Sequence, residues 1–291
     1  MAEAILAVPA VAPLRLRMVP SAGYLLIAPN VLYLSVVLLA PLGMMVAYSL
    51  YAAGSPSVTL ANYARLGDPY FLRLLLRTIW IAFRTALFCI VIGYPLAYFL
   101  ARASHRIAAI GMLLLLTPLM VSPVVRAFGW MVLLDRNGLL VNVMRFIGFI
   151  GAQPLIYSEA AVIVGLVHLL LPYMVLPLTA SIERIDPSLE EAARNLGASS
   201  RQLFTNVILP LSVPGLVSGA TLVFVEALSA FVLPALIGGR RVRMVGNEVF
   251  DSLLVAYNAG QASTLTIAMI VLTIAAIGAG YGVTRRLRRT A

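Results

Sequence analysis

The sequence predicts an all-α, polytopic membrane protein with six transmembrane helices. Hydrophobic residues make up 62% of the 291 residues and charged residues only 11%, and the mean hydropathy is +0.99. Soluble domains carry about 25% charged residues. A helix needs about 20 apolar residues to cross the hydrocarbon layer, whereas a membrane strand needs about 10 of alternating polarity. The apolar stretches here are long and continuous, which favours helices and excludes a soluble fold.

The six predicted spans follow one another along the whole chain. The first stretch follows Arg15 and Arg17 and so resembles a secretory signal peptide. A cleavable apolar region is only about 7–15 residues long, however, so the stretch is predicted to be a span. The predicted spans cover residues 24–50, 76–100, 107–134, 157–181, 211–238 and 262–284.

One membrane domain, residues 23–285, accounts for nearly all of the sequence. Residues 1–22, rich in Ala, Val and Pro, are predicted to form a loosely ordered cytoplasmic leader. Residues 286–291 are predicted to form a basic cytoplasmic tail. The connection over residues 183–210 is the longest one predicted on the cytoplasmic side.

Prolines and paired glycines lie inside several predicted spans. Pro118 and Pro123 fall in the third span, for example, and each proline removes a backbone donor and tends to kink its helix. Kinks suit helices that move, and packing in a static bundle is the equal alternative. Two glycines four residues apart let membrane helices approach each other closely. This spacing occurs at Gly215 and Gly219 and again at Gly278 and Gly282.

The formal net charge is +10, and all 21 basic side chains are arginine. Such a balance is often typical of nucleic-acid binding. Here the arginines lie between apolar stretches and at the C-terminus, where they meet anionic lipid headgroups. The tail and the short connection with Arg102 and Arg106 favour cytoplasmic termini in a bacterial inner membrane. We therefore expect the lipid bilayer, and no nucleic acid, as a partner. No Cys/His cluster in the sequence indicates a metal, since Cys89 stands alone.

The connection between the fourth and fifth spans carries the clearest local signals. Asp186-Pro187 is typical of an N-cap followed by the first helical residue, and Gly197 suits a left-handed C-cap. Ser199 with Gln202 predicts a capping box at the start of a second short helix, and Pro210 ends the loop. The apolar faces of the two helices are predicted to hold Leu189, Ala193 and Leu196, and then Leu203, Phe204 and Val207.

Two amphipathic helices joined at a glycine would form a compact knob to which another protein docks. The alternative is a helix that lies on the lipid headgroups.

The loop resembles the EAA loop of ABC importer permeases, written EAA-x3-G-x9-I-x-L-P. Glu191-Ala192-Ala193 is followed after three residues by Gly197 and after nine more by Val207-Ile208-Leu209-Pro210, with valine in place of the isoleucine. The resemblance implies a type I ABC importer permease-like fold whose loop seats in a groove of an ATP-binding subunit. The coupling residues that it implies are Glu190, Glu191, Ala192, Ala193, Arg194, Leu196, Gly197, Ala198, Phe204, Leu209 and Pro210.

Further motifs are similar to the spermidine/putrescine-type branch of these permeases. The branch asparagine after Gly-Leu-Leu is displaced to Asn142, and Asn258-Ala259-Gly260 replaces Asn-Trp-Pro. Members of the branch are associated with polyamines, opines and phosphonates, so the resemblance implies a small polar solute such as a polyamine. The matching motifs are Thr78, 93–98 (GYPLAY), Val125-Arg126-x3-Trp130, 137–140 (NGLL), 171–174 (LPYM) and 229–239 (SAFVLPALIGG).

The resemblance also implies the partners. It implies two ATP-binding cassette subunits, a second homologous permease and a periplasmic substrate-binding protein. ATP-Mg would bind to the ATPase subunits and no cofactor to this chain, which is not expected to be an enzyme. The sequence contains no G-x-x-x-x-G-K-[ST] phosphate loop. Arg240, Arg241 and Arg243 are candidates for contact with an acidic patch of the binding protein, and a headgroup-facing run is the alternative.

Three charged residues lie inside predicted spans. Glu226 is central in the fifth span, where a charge is costly and therefore indicates a functional site. Arg84 and Arg126 lie nearer the outer face, where snorkelling to the interface is the alternative. For Glu226 the alternative is a carboxylate that pairs with a neighbouring helix or is held protonated. These three residues, with Trp130 and Tyr173, are the candidates for the substrate pathway. The negative charge of Glu226 suits a cationic substrate, whereas the two arginines suit an anionic one.

Two other classes of protein fit the sequence less well. A secondary transporter driven by ions through Glu226 would be expected to contain an internal repeat, and none is evident. A membrane-embedded enzyme would need clustered polar residues at one interface, and the sequence has no such cluster.

Overall fold

The computed structural model describes residues 20–51, 57–148 and 155–290, and side chains within these ranges from residue 27 to residue 285. Most of the predicted leader lies outside the described residues, as do the side chains of the predicted basic tail. Helices dominate, and within the described ranges the strand-like pairing is one isolated bridge between Tyr51 and Val58. Five helices are long and apolar enough to cross a membrane, and a bent pair makes a sixth if it counts as one span. The all-α, six-span prediction is confirmed.

The helix boundaries in the described chain follow the sequence in order. A 3-10 turn covers Thr117–Met120, and π-helical turns cover Phe204–Ile208, Pro234–Gly238 and Asp251–Val255. The α-helices are α1 (Pro20–Ser49), α2 (Ala61–Arg65), α3 (Pro69–Arg102), α4 (His105–Leu116), α5 (Pro123–Leu134), α6 (Leu139–Phe146), α7 (Glu159–Glu183), α8 (Pro187–Asn195), α9 (Ser200–Leu203), α10 (Leu209–Leu228), α11 (Val245–Phe250) and α12 (Ala259–Thr290).

The chain divides into two compact units, Met1–Ala47 and Tyr48–Ala291. The described part of the first unit is helix α1, which contains Pro29 and Pro41 within its length. The second unit contains all the other helices.

The core of the second unit is built by α3, α7 and α10, which pack against one another, while α12 packs against α10. Ile81 of α3, Leu166 and Met174 of α7 and Val223 of α10 are fully buried in one apolar cluster. In a membrane such packing replaces the hydrophobic effect as the attraction between helices. This arrangement fixes the two helices, α7 and α10, that carry the loop between them.

Paired glycines let α10 approach α7 closely. A Cβ on Gly215 would lie 2.7 Å from the carbonyl oxygen of Pro177, and one on Gly219 would lie 2.9 Å from that of Met174. Both obstacles are backbone atoms, which cannot rotate away. The Gly278–Gly282 pair has no heavy atom within 4 Å of an added Cβ, so within this unit only the first pair makes the close approach.

We expect Gly219→Ala to lower the thermal stability of the protein, because the new methyl group must push α10 away from α7. Overpacking of this kind costs about 1–3 kcal/mol. The measurement is thermal unfolding of the detergent-solubilised protein, with Gly278→Ala as the matched control that adds the same methyl group in open space. Equal melting temperatures for the two variants would contradict the close packing.

The predicted third span, 107–134, is not one straight helix. The stretch His105–Met120 and the stretch Pro123–Phe146 meet at an angle of 98°. Pro123 begins α5, and the Ser122 side chain caps that helix by accepting a hydrogen bond from the backbone N–H of Val124. Because proline cannot donate to the preceding turn, the first helix ends there and a second begins. The expected kink is confirmed at this position as a full break.

The fifth span also differs from its predicted limits of 211–238. Its helix ends at Leu228, and the π-helical turn Pro234–Gly238 follows after a break. At the other end the helical stretch begins at Ser200 and runs without interruption into α10. The predicted second short helix of the loop is therefore the start of the same helical stretch as the fifth span, and Pro210 lies within that stretch. A wider π turn, in which the Leu209 N–H donates to the Phe204 carbonyl, precedes Pro210 and lets the helix continue.

Candidate coupling loop and membrane pathway

The first helix of the loop, α8, begins and ends as the sequence predicts. The Asp186 carboxylate accepts a hydrogen bond from the Ser188 N–H at 2.9 Å, and Pro187 is the first helical residue. Gly197 has φ +84°, and its N–H donates to the Arg194 carbonyl at 2.9 Å. The N-cap and the left-handed C-cap are both confirmed.

The hydrogen bonds from Ser188 lower the pKa of Asp186. The ionised carboxylate is the better acceptor, so its stabilising effect is present at neutral pH and is lost as the pH falls through the lowered pKa. We expect Asp186→Ala to speed amide hydrogen exchange in the first turn of α8 roughly fivefold. Asp186→Asn is the control, because asparagine caps a helix equally well without charge. If the alanine variant exchanged at the wild-type rate, the cap would have no measurable role.

The start of α9 has the predicted capping box. The Gln202 N–H donates to Ser199 Oγ at 3.3 Å, and the Ser199 N–H donates to Gln202 Oε1 at 2.8 Å. Behind it, a small buried cluster of Ile185, Leu203 and Ile208 fixes the loop on the ends of the spans. The loop is therefore an ordered structure rather than a flexible connection.

The side chains of α8 point in two directions. Glu190 is buried at 7% exposure, and Ala193 is half-buried against the small cluster. Glu191, Ala192, Arg194 and Leu196 are exposed, Leu196 at 88%. Leu189 of the predicted apolar face is also exposed. Of the predicted apolar face, Ala193 thus contacts the protein's own apolar cluster, whereas Leu189 and Leu196 are exposed beside charged side chains.

The other predicted coupling residues lie where the loop joins the spans. Gly197 is exposed and Ala198 is half-buried. Phe204 is partly exposed, and its ring contacts Tyr94 edge to face with centroids 5.1 Å apart. Leu209 is half-buried against an apolar cluster that includes Leu178 and Ile182 of α7, and Pro210 is exposed.

Glu226 lies on the exposed side of α10. Its backbone carbonyl accepts a hydrogen bond from the Ser229 hydroxyl at 3.1 Å. Among the described side chains, none forms a hydrogen bond or ion pair with its carboxylate. An ion pair with a neighbouring helix was one alternative to a pathway role for Glu226. It is not found among the described residues.

Arg84 has a partner that sequence reasoning missed. Its guanidinium lies 3.6 Å from Glu159, the first residue of α7, and Arg77 lies 3.4 Å from the same carboxylate. The Arg84 guanidinium also lies over the Trp80 ring, 4.7 Å from the centroid. The i, i+7 spacing of the two arginines on α3 places them on one face, but no sequence signal shows which acid reaches them.

Arg126 and Trp130 of α5 lie near α7. The Trp130 N–H donates to His168 Nδ1 at 3.3 Å, and Tyr173 is half-buried. Two nitrogens of Arg126, Nε and Nη1, are buried without a hydrogen-bond partner in the described chain. An open cavity of about 620 Å³ is lined by Arg84, Trp130, His168 and apolar side chains. The structure thus brings two of the predicted pathway residues, Arg84 and Trp130, to one cavity and adds His168.

At the end of α3 remote from the loop, Arg243 pairs with acids of its own chain. It lies 3.2 Å from Glu248 and also contacts Asp251, while the Tyr70 hydroxyl donates to Glu248 at 2.7 Å. Arg240 and its neighbour at 241 are exposed. Of the three arginines predicted to meet a partner, Arg243 is therefore already paired within the chain.

Groups of His, Cys, Asp and Glu that could hold a metal ion are absent from the described residues.

The fold is a bundle of membrane-spanning helices with a capped, outward-facing helix between two packed spans. The chain belongs to the family of binding-protein-dependent transport system inner membrane components, whose sequence model matches residues 90–289. It is a multi-pass permease subunit of an ABC importer in the inner membrane, and this family is not one of enzymes.

Curated relatives support the same assignment. The chain is 38% identical over 216 residues to the spermidine/putrescine transport system permease protein PotB of Escherichia coli (strain K12), covering 72% of this chain and 78% of that protein. It is 34% identical to PotB of Haemophilus influenzae, covering 80% and 82%.

One solved structure shows the same fold. A chain of a bacterial alginate ABC transporter, in complex with an alginate pentasaccharide-bound periplasmic protein, superposes with a TM-score of 0.77 and 16% identity. The match covers 92% of this chain and 95% of that one.

Proposed function

We propose that this chain is the permease subunit through which a polyamine such as spermidine or putrescine crosses the inner membrane. The observation that carries the proposal is the 38% identity, over most of both chains, to a spermidine/putrescine permease. The loop around α8 is similar to the EAA loop of such permeases, and the bundle places that loop between two helices of the packed core.

Energy for transport comes, in this proposal, from ATP-Mg bound to two ATP-binding cassette subunits. Their docking surface is the outward side of α8 and its C-cap, where Glu191, Arg194 and Leu196 are exposed beside Gly197. An exposed leucine flanked by both charges is typical of a surface that another protein covers. The loop and both termini then lie in the cytoplasm. This chain itself holds no cofactor.

A second homologous permease completes the pathway, and a periplasmic binding protein delivers the substrate at the far end. Exposed Arg240 and Arg241 lie at that end and suit an acidic surface of the binding protein. Glu226 faces the pathway, since an exposed carboxylate within a predicted span is costly against lipid. A carboxylate there suits a cationic substrate.

The same permease class with an anionic substrate is the second candidate. It is favoured by Arg126, whose buried nitrogens lack partners in the described chain, because an opine carboxylate or a phosphonate would satisfy them. An ion-coupled transporter using Glu226 is the least favoured reading, because the family to which the chain belongs imports with a binding protein.

The test is co-purification followed by reconstitution of the complex in liposomes. We expect ATP-binding subunits to co-purify, and uptake of labelled spermidine or putrescine to require both ATP and the binding protein. Uptake of a phosphonate but of neither polyamine would select the second candidate. Uptake driven by an ion gradient without ATP would contradict the proposal as a whole.

A further inference from the structure

A partly buried ion pair ties α8 to the end of α3. Arg102, in the last turn of α3, donates from Nε to Glu190 Oε1 at 2.8 Å, and its Nη2 lies 2.6 Å from the same oxygen. The Tyr98 hydroxyl, one turn earlier, donates to Glu190 Oε2 at 3.0 Å. Both carboxylate oxygens of Glu190 are therefore held by groups of α3.

The same arginine also holds the turn that precedes α8. Its Nη2 donates to the Ile185 carbonyl at 3.0 Å, one residue before the Asp186 cap. One guanidinium thus fixes the start of α8 through the backbone and the first turns of α8 through Glu190. A planar guanidinium can make these contacts at once, whereas a lysine ammonium lacks that fork.

The two neighbouring acids of the loop have opposite environments. Glu190 is 7% exposed and fully hydrogen-bonded, whereas Glu191 is exposed. Consecutive residues on a helix point about 100° apart, so one acid reaches into the bundle while the other faces a partner. The EAA-like motif begins at Glu191, and Glu190 lies outside it.

The contact between Glu190 and Arg102 matters because the covalent attachments of α8 are two turns, one at Ile185–Asp186 and one at Gly197. Its backbone packs mainly against α9 and the π turn that follows, and its connection to α3 is made by side chains. α3 is packed against both α7 and α10. A movement of α8 can therefore reach the core through Arg102 as well as through the covalent loop.

We propose that Arg102 and Glu190 are positioning residues that pass movement of α8 to α3, with Tyr98 as the second donor. The inference rests on the proposed function and deepens it: Glu191 and its exposed neighbours bind the ATPase subunit, and the Glu190–Arg102 pair transmits the force inward. A partly buried, hydrogen-bonded pair suits this role because separating its charges costs more than separating a fully exposed pair, so the two helices move together.

The experiment uses the complete importer, reconstituted in liposomes, with uptake and ATP hydrolysis measured together. Arg102→Gln and Glu190→Gln are expected to lower substrate transported per ATP by about tenfold while ATP-binding subunits still co-purify. Glu191→Lys is expected to give the other phenotype, loss of the ATP-binding subunits. Arg106→Gln is the matched control, since Arg106 is an exposed arginine of the same short connection.

Two further variants guard against simple misfolding. The exchange Arg102→Glu with Glu190→Arg is expected to restore part of the coupling lost in either single charge reversal. Tyr98→Phe keeps the ion pair and is expected to lower coupling by only about twofold to threefold. If Arg102→Gln and Tyr98→Phe both coupled normally, the proposal would be overturned. Loss of the ATP-binding subunits from Arg102→Gln would overturn it as well, by making Arg102 a docking residue. A wild-type complex without any ATPase would overturn the proposed function and the link together.

Discussion

Replacement of Gly197 by valine is expected to abolish most ATP-coupled uptake while the spans still insert. Gly197 has φ +84°, a conformation that costs a residue with a Cβ about 1–2 kcal/mol, and a β-branched residue more. No heavy atom lies within 4 Å of an added Cβ, so the cost falls on the backbone alone. The strain is relieved only if the chain leaves the left-handed turn, and the exposed end of α8 then changes direction.

Asparagine is the matched substitution, because it tolerates the left-handed region better than other residues with a side chain. We expect Gly197→Asn to retain roughly half of the uptake and Gly197→Val to lose about 90% of it. The measurement compares uptake, ATP hydrolysis and the amount of protein in the membrane fraction for both variants. Equal uptake at equal expression would show that the geometry of this turn does not matter for coupling.

Local signals made the ends of α8 predictable. Asp186, Pro187, Gly197 and the Ser199–Gln202 pair each act through backbone atoms within four residues, so the sequence spacing contains the whole interaction. The existence of the long spans was predictable for a similar reason, since the length of an apolar stretch is compared with a fixed membrane thickness.

Interactions across helices were not predictable in this way. Glu190 was assigned to the coupling surface with its neighbours, but its partners Tyr98 and Arg102 lie 92 and 88 residues away in the chain. Glu159 and Arg84 also lie far apart in the sequence, so their pairing was not predictable either. One sequence signal was available for Glu190: an acid inside a helix at the position that faces the core needs a partner.

The breaks in the third and fifth spans were predictable from the sequence only in part. Proline shows where a helix loses a hydrogen bond, and Pro123 does begin a new helix at the 98° bend. Pro172 and Pro177, in contrast, lie inside the single helix α7. What separates the two outcomes is tertiary packing, because α7 is surrounded by α3 and α10 and its helical path is fixed by them.

Neutralisation of Glu226 is expected to have the second large effect on transport. Glu226 lies within the predicted fifth span, two residues before α10 ends at Leu228, and its exposed carboxylate has no ion-pair partner among the described side chains. A charged carboxylate at membrane depth is costly unless water or a cation reaches it. In the proposed pathway that cation is an ammonium group of the substrate, which loses part of its hydration as it passes. Removing the charge while keeping the shape should therefore raise the barrier for a cation and leave a neutral or anionic solute unaffected.

We expect Glu226→Gln to reduce polyamine uptake by about tenfold or more, with ATP-binding subunits still attached. Asp135→Asn is the control, since it removes one negative charge from an exposed residue at the end of α5. Glu226→Asp tests whether the position of the negative charge matters, because it keeps the carboxylate but shortens the side chain by one methylene. If the glutamine variant moved polyamines at the wild-type rate, Glu226 would lie against a protein neighbour instead of the pathway, and Arg126 would become the stronger indicator of substrate charge.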